Sequence, residues 1–133
     1  MYKLAISTSG EYVSAAIFEE KLLASFVSKT NKGSTGILLN QINELFDKTK
    51  ASRNDLNALY LDVGPGYYTG LRIGLSVSQG LGAVLGIPII PVNGLDALAF
   101  AAHTSHRKIC TLIDIKRNEF AYCEYMPVPG GVT

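Results

Sequence analysis

A glycine-rich corner between an apolar strand and a helix constrains this chain more than any other feature. Residues 58–63 form a mostly apolar run, and the loop Gly64-Pro65-Gly66-Tyr67-Tyr68-Thr69-Gly70 follows it directly. Glycine and proline at such a corner predict a tight turn with no side chain in the way of a close neighbour. That neighbour is either a phosphate, attracted by the free N–H groups at a helix start, or another segment of backbone.

The loop matches the known nucleotide-binding motifs poorly. A phosphate-binding loop of the Walker type needs a Lys and then a Ser or Thr directly after its last glycine, whereas Leu71 and Arg72 follow Gly70 here. The dinucleotide motif needs Gly-x-Gly-x-x-Gly, whereas this loop has one residue more before Gly70. No acidic residue stands about 20 positions later to bind a ribose. A structural turn is therefore the favoured interpretation.

A row of small residues recurs every fourth position along the helix after the loop. This spacing follows one of the ridges of a helix surface and predicts a shallow face that a neighbour can approach closely. Each internal glycine costs about 0.8–1 kcal/mol relative to alanine, so a compensating contact is expected. The contact is either with the chain's own sheet or with a helix of a second subunit. The row consists of Gly70, Gly74, Ser78, Gly82 and Gly86.

Arg72 lies in the first turn of the same helix, where a positive charge opposes the helix dipole. We expect its guanidinium to pair with a carboxylate, Asp62 or Asp114, or with an anionic ligand.

Composition indicates one globular domain. The 133 residues are 47% hydrophobic and carry a formal net charge of +1, which gives no basic surface for nucleic acid. No leader sequence and no apolar run of membrane-spanning length is seen. Cys110 and Cys123 are expected to be core thiols in a reducing cytosol, with a disulfide between neighbouring strands as the minor alternative.

The order of predicted elements is strand, strand, strand, helix, strand, helix, strand, helix and a final hairpin. The first three strands form a meander, Asn93 caps the third helix, and the prolines at 88 and 91 place the fifth strand at an edge or in a connector. The predicted bounds are 3–6, 12–18, 22–28, 34–50, 58–63, 69–85, 87–92, 93–103, 108–115 and 119–126.

With this order, the motif at 64–74 resembles the signature of the TsaB/YeaZ family, glycoprotease-like proteins of bacterial threonylcarbamoyladenosine synthesis. Only Tyr67 and Tyr68 differ from the family's pattern. Weaker matches are Ile87-Pro88, the run from Gly94 to Ala99, and Ile113-Asp114-x-Lys116-Arg117-x-Glu119. The likeness runs from Lys3 to about Tyr125.

The resemblance implies an α/β fold: an actin-like ATPase (ribonuclease H-like) half-domain with a mixed β-sheet flanked by helices. It places this domain at residues 1–126 and leaves 127–133 as a linker or tail. The second, smaller domain of the family is expected to be absent, which makes the chain either a fragment or a short member.

The resemblance also implies a cytoplasmic, non-catalytic scaffold that needs no cofactor. Its partners would be a second copy or the homologous catalytic subunit, then the ATPase subunit of the same complex, with tRNA bound indirectly and no membrane. Family members pair through their first two helices, which favours a subunit interface for the row of small residues. The predicted interface residues are Ile37, Leu38, Gln41, Gly70, Arg72, Gly74, Ser78 and Gly82.

The residues offer little for catalysis. The catalytic relative binds a metal with two histidines on its first helix, and residues 33–50 contain none. His103 and His106 lack an evident third ligand, so a solvated helix end is the favoured interpretation. Ser7 stands where many relatives carry Asp, and no His or Lys is placed to activate it. The alternative function is an actin-like ATPase or kinase that works between residues 7–10 and 64–70.

Overall fold

The computed structural model describes residues 1–29, 34–102 and 106–133, and contains three α-helices, nine β-strands and one turn of 3-10 helix in these ranges. The strands are β1 (Tyr2–Ser7), β2 (Tyr12–Phe18), β3 (Leu22–Lys29), β4 (Leu56–Asp62), β5 (Ile89–Val92), β6 (Ile109–Asp114), β7 (Phe120–Tyr125), β8 (Pro127–Val128) and β9 (Gly131–Val132). The helices are α1 (Ser34–Thr49), α2 (Tyr68–Leu85) and α3 (Gly94–Ala101), and the 3-10 turn is Arg53–Asp55.

Five strands form one mixed sheet in the order β3-β2-β1-β4-β5. The first three pair antiparallel as the predicted meander, while β4 and β5 run parallel to β1. Ala5 of β1 stands opposite Ala16 on one side and Tyr60 on the other. Pro91 lies in the edge strand β5, where a missing N–H breaks no sheet hydrogen bond on its open side. The predicted α/β architecture is confirmed.

Helices α1 and α2 lie together on one face of this sheet and form the main core with it. Alternate residues of β1 and β4 point to these helices, as the period of two in a strand requires. Leu4 and Leu59 are fully buried there, and Leu38 and Leu45 of α1 meet them. Ile37, one of the predicted interface residues, is 39% exposed and lies outside this core.

Helix α3 and the β6–β7 hairpin build a second, smaller core from Leu95, Ala99, Ile109 and Tyr125. Asn93 caps α3 as predicted, because its side-chain oxygen accepts a hydrogen bond from the N–H of Leu95. The phenol of Tyr125 donates a 2.5 Å hydrogen bond to Asp96 and so ties the hairpin to α3.

Residues 127–133 differ from the expected linker. They form a short hairpin, β8–β9, that turns at Gly130 with φ of +83°. The N–H groups of Met126 and Thr133 each donate to the other residue's carbonyl, and Val132 packs against the second core. A glycine with positive φ next to a proline is typical of a turn, whereas a linker or tail is expected in these residues from the sequence.

The cysteines also differ from expectation. Both are free, Cys123 is half-buried, and Cys110 is exposed on the outer face of β6. The two residues are not opposite each other, since Thr111 stands opposite Cys123. His103 lies outside the described residues, and His106 is exposed. None of the helices in the described ranges has the length and hydropathy to cross a membrane.

Replacing Gly70 with Ala should destabilise the fold, because the new Cβ would overlap the backbone carbonyl of Thr8. We expect the free energy of unfolding to fall by about 1–3 kcal/mol, as for overpacked cores. The control is Gly80→Ala in the same helix, where an added Cβ meets nothing within 4 Å. That variant should gain about 0.8–1 kcal/mol from helix propensity alone. Urea denaturation followed by circular dichroism measures both, and equal gains would contradict this packing.

Replacing Tyr125 with Phe should make stability less sensitive to alkaline pH. The hydrogen bond to Asp96, followed by burial, raises the pKa of Tyr125 above its ordinary value. The bond's stabilisation is therefore complete below the unfolded-state pKa of about 10 and is lost as pH rises above it.

At pH 7 the Tyr125→Phe variant should lose about 1–2 kcal/mol of unfolding free energy relative to the unsubstituted protein. This difference should shrink between pH 9 and pH 11.5, measured by urea denaturation at each pH. The control is Tyr122→Phe, whose ring is 66% exposed on β7. A difference that stays constant with pH would refute the role of the buried phenol.

Candidate site at the ends of β1 and β4

The glycine-rich loop 64–70 is occupied by the chain's own backbone, the second of the two neighbours that its sequence allowed. The N–H of Tyr67 donates a 2.7 Å hydrogen bond to the carbonyl of Ser9 in the β1–β2 turn. The hydroxyl of Thr8 donates a 2.6 Å bond to the carbonyl of Gly70. A Cβ at Gly66 would overlap the Ser9 carbonyl. Glycine is therefore required here so that two backbone segments can touch.

The row of small residues on α2 continues this contact and faces inward. An added Cβ at Gly74 would overlap the hydroxyl of Thr8, and one at Gly82 would lie 3.2 Å from the side chain of Ile89. Ser78 is 0% exposed. Of the two interpretations that the spacing allowed, packing on the chain's own sheet is the one observed. Our assignment of Gly70, Gly74, Ser78 and Gly82 to a subunit interface is at odds with this geometry, because β1, β4 and β5 already fill the groove.

The other predicted interface residues divide between surface and core. Arg72 is exposed on α2, and Ile37 and Gln41 of α1 are at least partly accessible. Leu38 is fully buried in the main core. The helix surface available to another molecule is thus the outer face of α1 and α2, opposite the small-residue row.

Asp62 connects the two loops at the carboxyl ends of the parallel strands β1 and β4. Its Oδ2 accepts hydrogen bonds from the hydroxyls of Ser7 at 2.7 Å and Ser9 at 2.6 Å. Its Oδ1 accepts the backbone N–H of Gly64 at 2.9 Å. This cluster was not predicted from the sequence, although polar residues at the carboxyl ends of two parallel, adjacent strands are a signal for it, since such strand ends meet.

A cavity of about 640 Å³ opens beside Asp62, on the sheet face that α1 and α2 leave uncovered. Small side chains of β1, β2 and β3 form its floor, and Leu98 of α3 and Ile113 of β6 stand at its sides. The Gly64 carbonyl accepts the N–H of Gly94 at 2.8 Å, which holds the start of α3 against this corner. The cavity thus combines a largely apolar surface with one polar end.

Arg72 has a different partner from the one that we expected. Its guanidinium lies 5.4 Å from the ring centre of Tyr68, while Asp62 is bound by the two serines and Asp114 accepts the N–H of Lys116. Tyr68 itself is 73% exposed. A cation over an aromatic face is a surface contact of about 0.5–1 kcal/mol.

Tyr67 carries a second such contact, because the ammonium of Lys116 lies 4.6 Å from its ring centre. Lys116 belongs to the β6–β7 turn, in which Lys116, Arg117 and Asn118 all have positive φ. This turn therefore reaches back to the glycine-rich loop. In residues 1–29, 34–102 and 106–133, no three His, Cys, Asp or Glu side chains are grouped to hold a metal ion.

Removing either serine hydroxyl should weaken the link between the two loops. Ser7→Ala and Ser9→Ala should each lower the free energy of unfolding by about 1 kcal/mol, since each hydrogen bond involves a half-buried carboxylate. The double variant should lose more than the sum by about 0.5 kcal/mol, because the carboxylate then keeps only the Gly64 N–H. Urea denaturation of all four proteins measures this coupling. Strictly additive losses would show that the two bonds act independently.

Comparison with known proteins agrees with this architecture. The family model described as TsaD, tRNA N6-adenosine threonylcarbamoyltransferase, matches residues 23–129. The tRNA threonylcarbamoyladenosine biosynthesis protein TsaB of Buchnera aphidicola is 31% identical over 125 residues, which cover 92% of this chain and 60% of that protein.

Solved structures show the same relationship. The structure of YeaZ from Pseudomonas aeruginosa superposes with a TM-score of 0.87 at 28% identity, and covers 98% of this chain and 62% of its own. A ROK hexokinase from Thermus thermophilus gives a TM-score of 0.53 at 18% identity over 84% of this chain and 42% of the hexokinase, which shows a common fold alone.

The chain spans only about half to three-fifths of the length of the TsaB relatives that it matches. The match nevertheless extends over most of this chain, through the glycine-rich loop and the β6–β7 hairpin. The chain therefore belongs to the TsaB/YeaZ family, within the wider family of the transferase TsaD.

Proposed function

We propose that this chain acts in the formation of threonylcarbamoyladenosine in tRNA, as a non-catalytic subunit that binds the homologous catalytic transferase. The observation that supports this role best is the occupied glycine-rich loop. Its Tyr67 N–H donates to the carbonyl of Ser9, and Gly66 and Gly70 pack against Ser9 and Thr8, so the loop is used to build the fold. In this proposal the ATPase subunit joins the pair in the cytoplasm, and tRNA is contacted through the complex.

The outer face of α1 and α2 is the surface that we assign to the partner. Apolar side chains project from it although the core beneath is complete: Ile37 is 39% exposed, Leu75 45% and Val84 84%. Leu75 and Val84 are nine residues apart, so they border the outer face of α2 on its two sides. Exposed apolar side chains around a helix face favour an interaction site. Ile37, Gln41 and Arg72 keep the interface role proposed for them from the sequence, whereas the inward-facing glycines support the interface only by holding α2 in place.

Gly80 is the position that tests this surface most cleanly. It is exposed in the middle of α2, and an added Cβ meets no atom within 4 Å. A glycine on an outer helix face permits the backbone of another helix to approach closely. A large side chain here changes the outer surface and leaves the inner packing untouched.

Gly80→Arg should therefore fold normally and bind the catalytic transferase of the same organism at least tenfold more weakly. Isothermal titration calorimetry measures the affinity, and urea denaturation should show equal or higher stability because arginine favours the helix over glycine. The matched control is Ala101→Arg, an exposed position at the end of α3, which should bind like the unsubstituted protein. Unchanged binding by Gly80→Arg would overturn the assignment of this face.

The function itself is tested in cells depleted of their own TsaB. Expression of this chain should restore threonylcarbamoyladenosine in tRNA, measured by nucleoside mass spectrometry, and the Gly80→Arg variant should not. The alternative, an actin-like ATPase or kinase, requires nucleotide affinity in the isolated chain. Binding of ATP with magnesium tighter than about 100 μM, equivalent to roughly −5.5 kcal/mol, would favour that alternative.

A further inference from the structure

The cavity on the open face of the sheet has no part in the proposed subunit contact, which lies on the opposite face. Its volume of about 640 Å³ falls in the range of small-molecule sites, roughly 300–1,000 Å³. Most of its floor comes from Ala5, Ser14, Ala16 and Ser25, whose short side chains leave the space open. Residues of α3 and β6 stand around it, so the cavity is bounded on more than one side.

The polar end of this cavity has a fixed direction of hydrogen bonding. A serine hydroxyl has one proton, and those of Ser7 and Ser9 are both donated to Oδ2 of Asp62. Each of these hydroxyl oxygens therefore presents only lone pairs to any further partner. The Gly64 N–H is directed to Oδ1 of the same carboxylate. This end of the cavity is a set of acceptors around one negative charge.

No Lys, Arg or His occurs among the described residues that line the cavity. The ammonium of Lys116 lies over the ring of Tyr67, and neither residue lines the cavity. An anion would meet the Asp62 carboxylate with no compensating cation. A group that donates hydrogen bonds and carries positive charge meets complementary acceptors.

We propose that this cavity binds a small apolar molecule carrying one ammonium or amidinium group. The charged group contacts the oxygens of Ser7, Ser9 and Asp62, and the apolar body lies on the sheet between β2 and α3. Phosphate- and carboxylate-bearing molecules are disfavoured at this end. The assignment is independent of the proposed role in tRNA modification.

Two probes with the same phenylethyl body and opposite charge test the assignment at pH 7: phenethylammonium and 3-phenylpropionate. Titration of the full chain, followed by two-dimensional ¹H–¹⁵N NMR, reports binding at the amides of Ser9, Gly10 and Gly94. The ammonium should give saturable shifts at millimolar concentration, and the carboxylate should bind at least tenfold more weakly. Equal or tighter binding of the carboxylate would overturn the proposal, as would the lack of saturable shifts with the ammonium at 10 mM.

Two variants test the polar end of the cavity and the apolar space beside it independently. Asp62→Asn removes the charge and should reduce the preference for the ammonium to less than threefold. Ala16→Leu fills the floor without touching the polar cluster and should weaken ammonium binding at least fivefold. Ala83→Leu, exposed on the far side of α2, is the matched control and should bind like the unsubstituted protein. If Asp62→Asn fails to fold, Ala16→Leu alone tests the proposal. Unchanged binding of the ammonium by that variant would then contradict it.

Discussion

The contact of bare backbone between the β1–β2 turn and the start of α2 determines how the rest of the chain is arranged. Thr8, only 2% exposed, lies between the sheet and Gly70 and Gly74, and no side chain fits on the helix side of it. The direct bond from Tyr67 N–H to the Ser9 carbonyl fixes the distance between the two loops. Helix α2 is thereby held close over β4 and β5, with the row of small residues and Val77 inside.

The same contact divides the molecule into two surfaces with different chemistry. On the helix side, apolar side chains such as Val84 are exposed to water, and a protein partner could bury them. On the other side, the serines that flank Thr8 point to Asp62 and form the acceptor end of an open cavity. A phosphate at the glycine-rich loop would have to displace the Ser9 carbonyl. The loop therefore has a structural role, which is to hold the start of α2 against the β1–β2 turn.

The elements of the fold were predictable because their signals are local. The mostly apolar run of β4, the capping residue Asn93 and the prolines of the edge strand each act within a few residues. The direction of the glycine row was not predictable from its spacing, since a ridge of every fourth residue has the same period whichever way it faces. Val77, apolar and buried beside that row, was the available sign that it faced the core. The partner of Arg72 was not predicted, because ion pairing depends on the distance between segments that are far apart in the chain. In the structure, the Asp62 carboxylate already accepts hydrogen bonds from the hydroxyls of Ser7 and Ser9.

The glycines of α2 differ in whether a close contact compensates for their low helix propensity. Every internal glycine costs about 0.8–1 kcal/mol of helix propensity, and at Gly70, Gly74 and Gly82 this cost is offset by contacts that a Cβ would prevent. Gly80 carries the same cost, yet it has no neighbour in the described residues that an alanine would disturb. The chain's own fold therefore does not explain Gly80, and a helix of another molecule packed against the outer face of α2 would. An exposed glycine with no internal contact is thus better support for a subunit interface than the buried row whose spacing first suggested one.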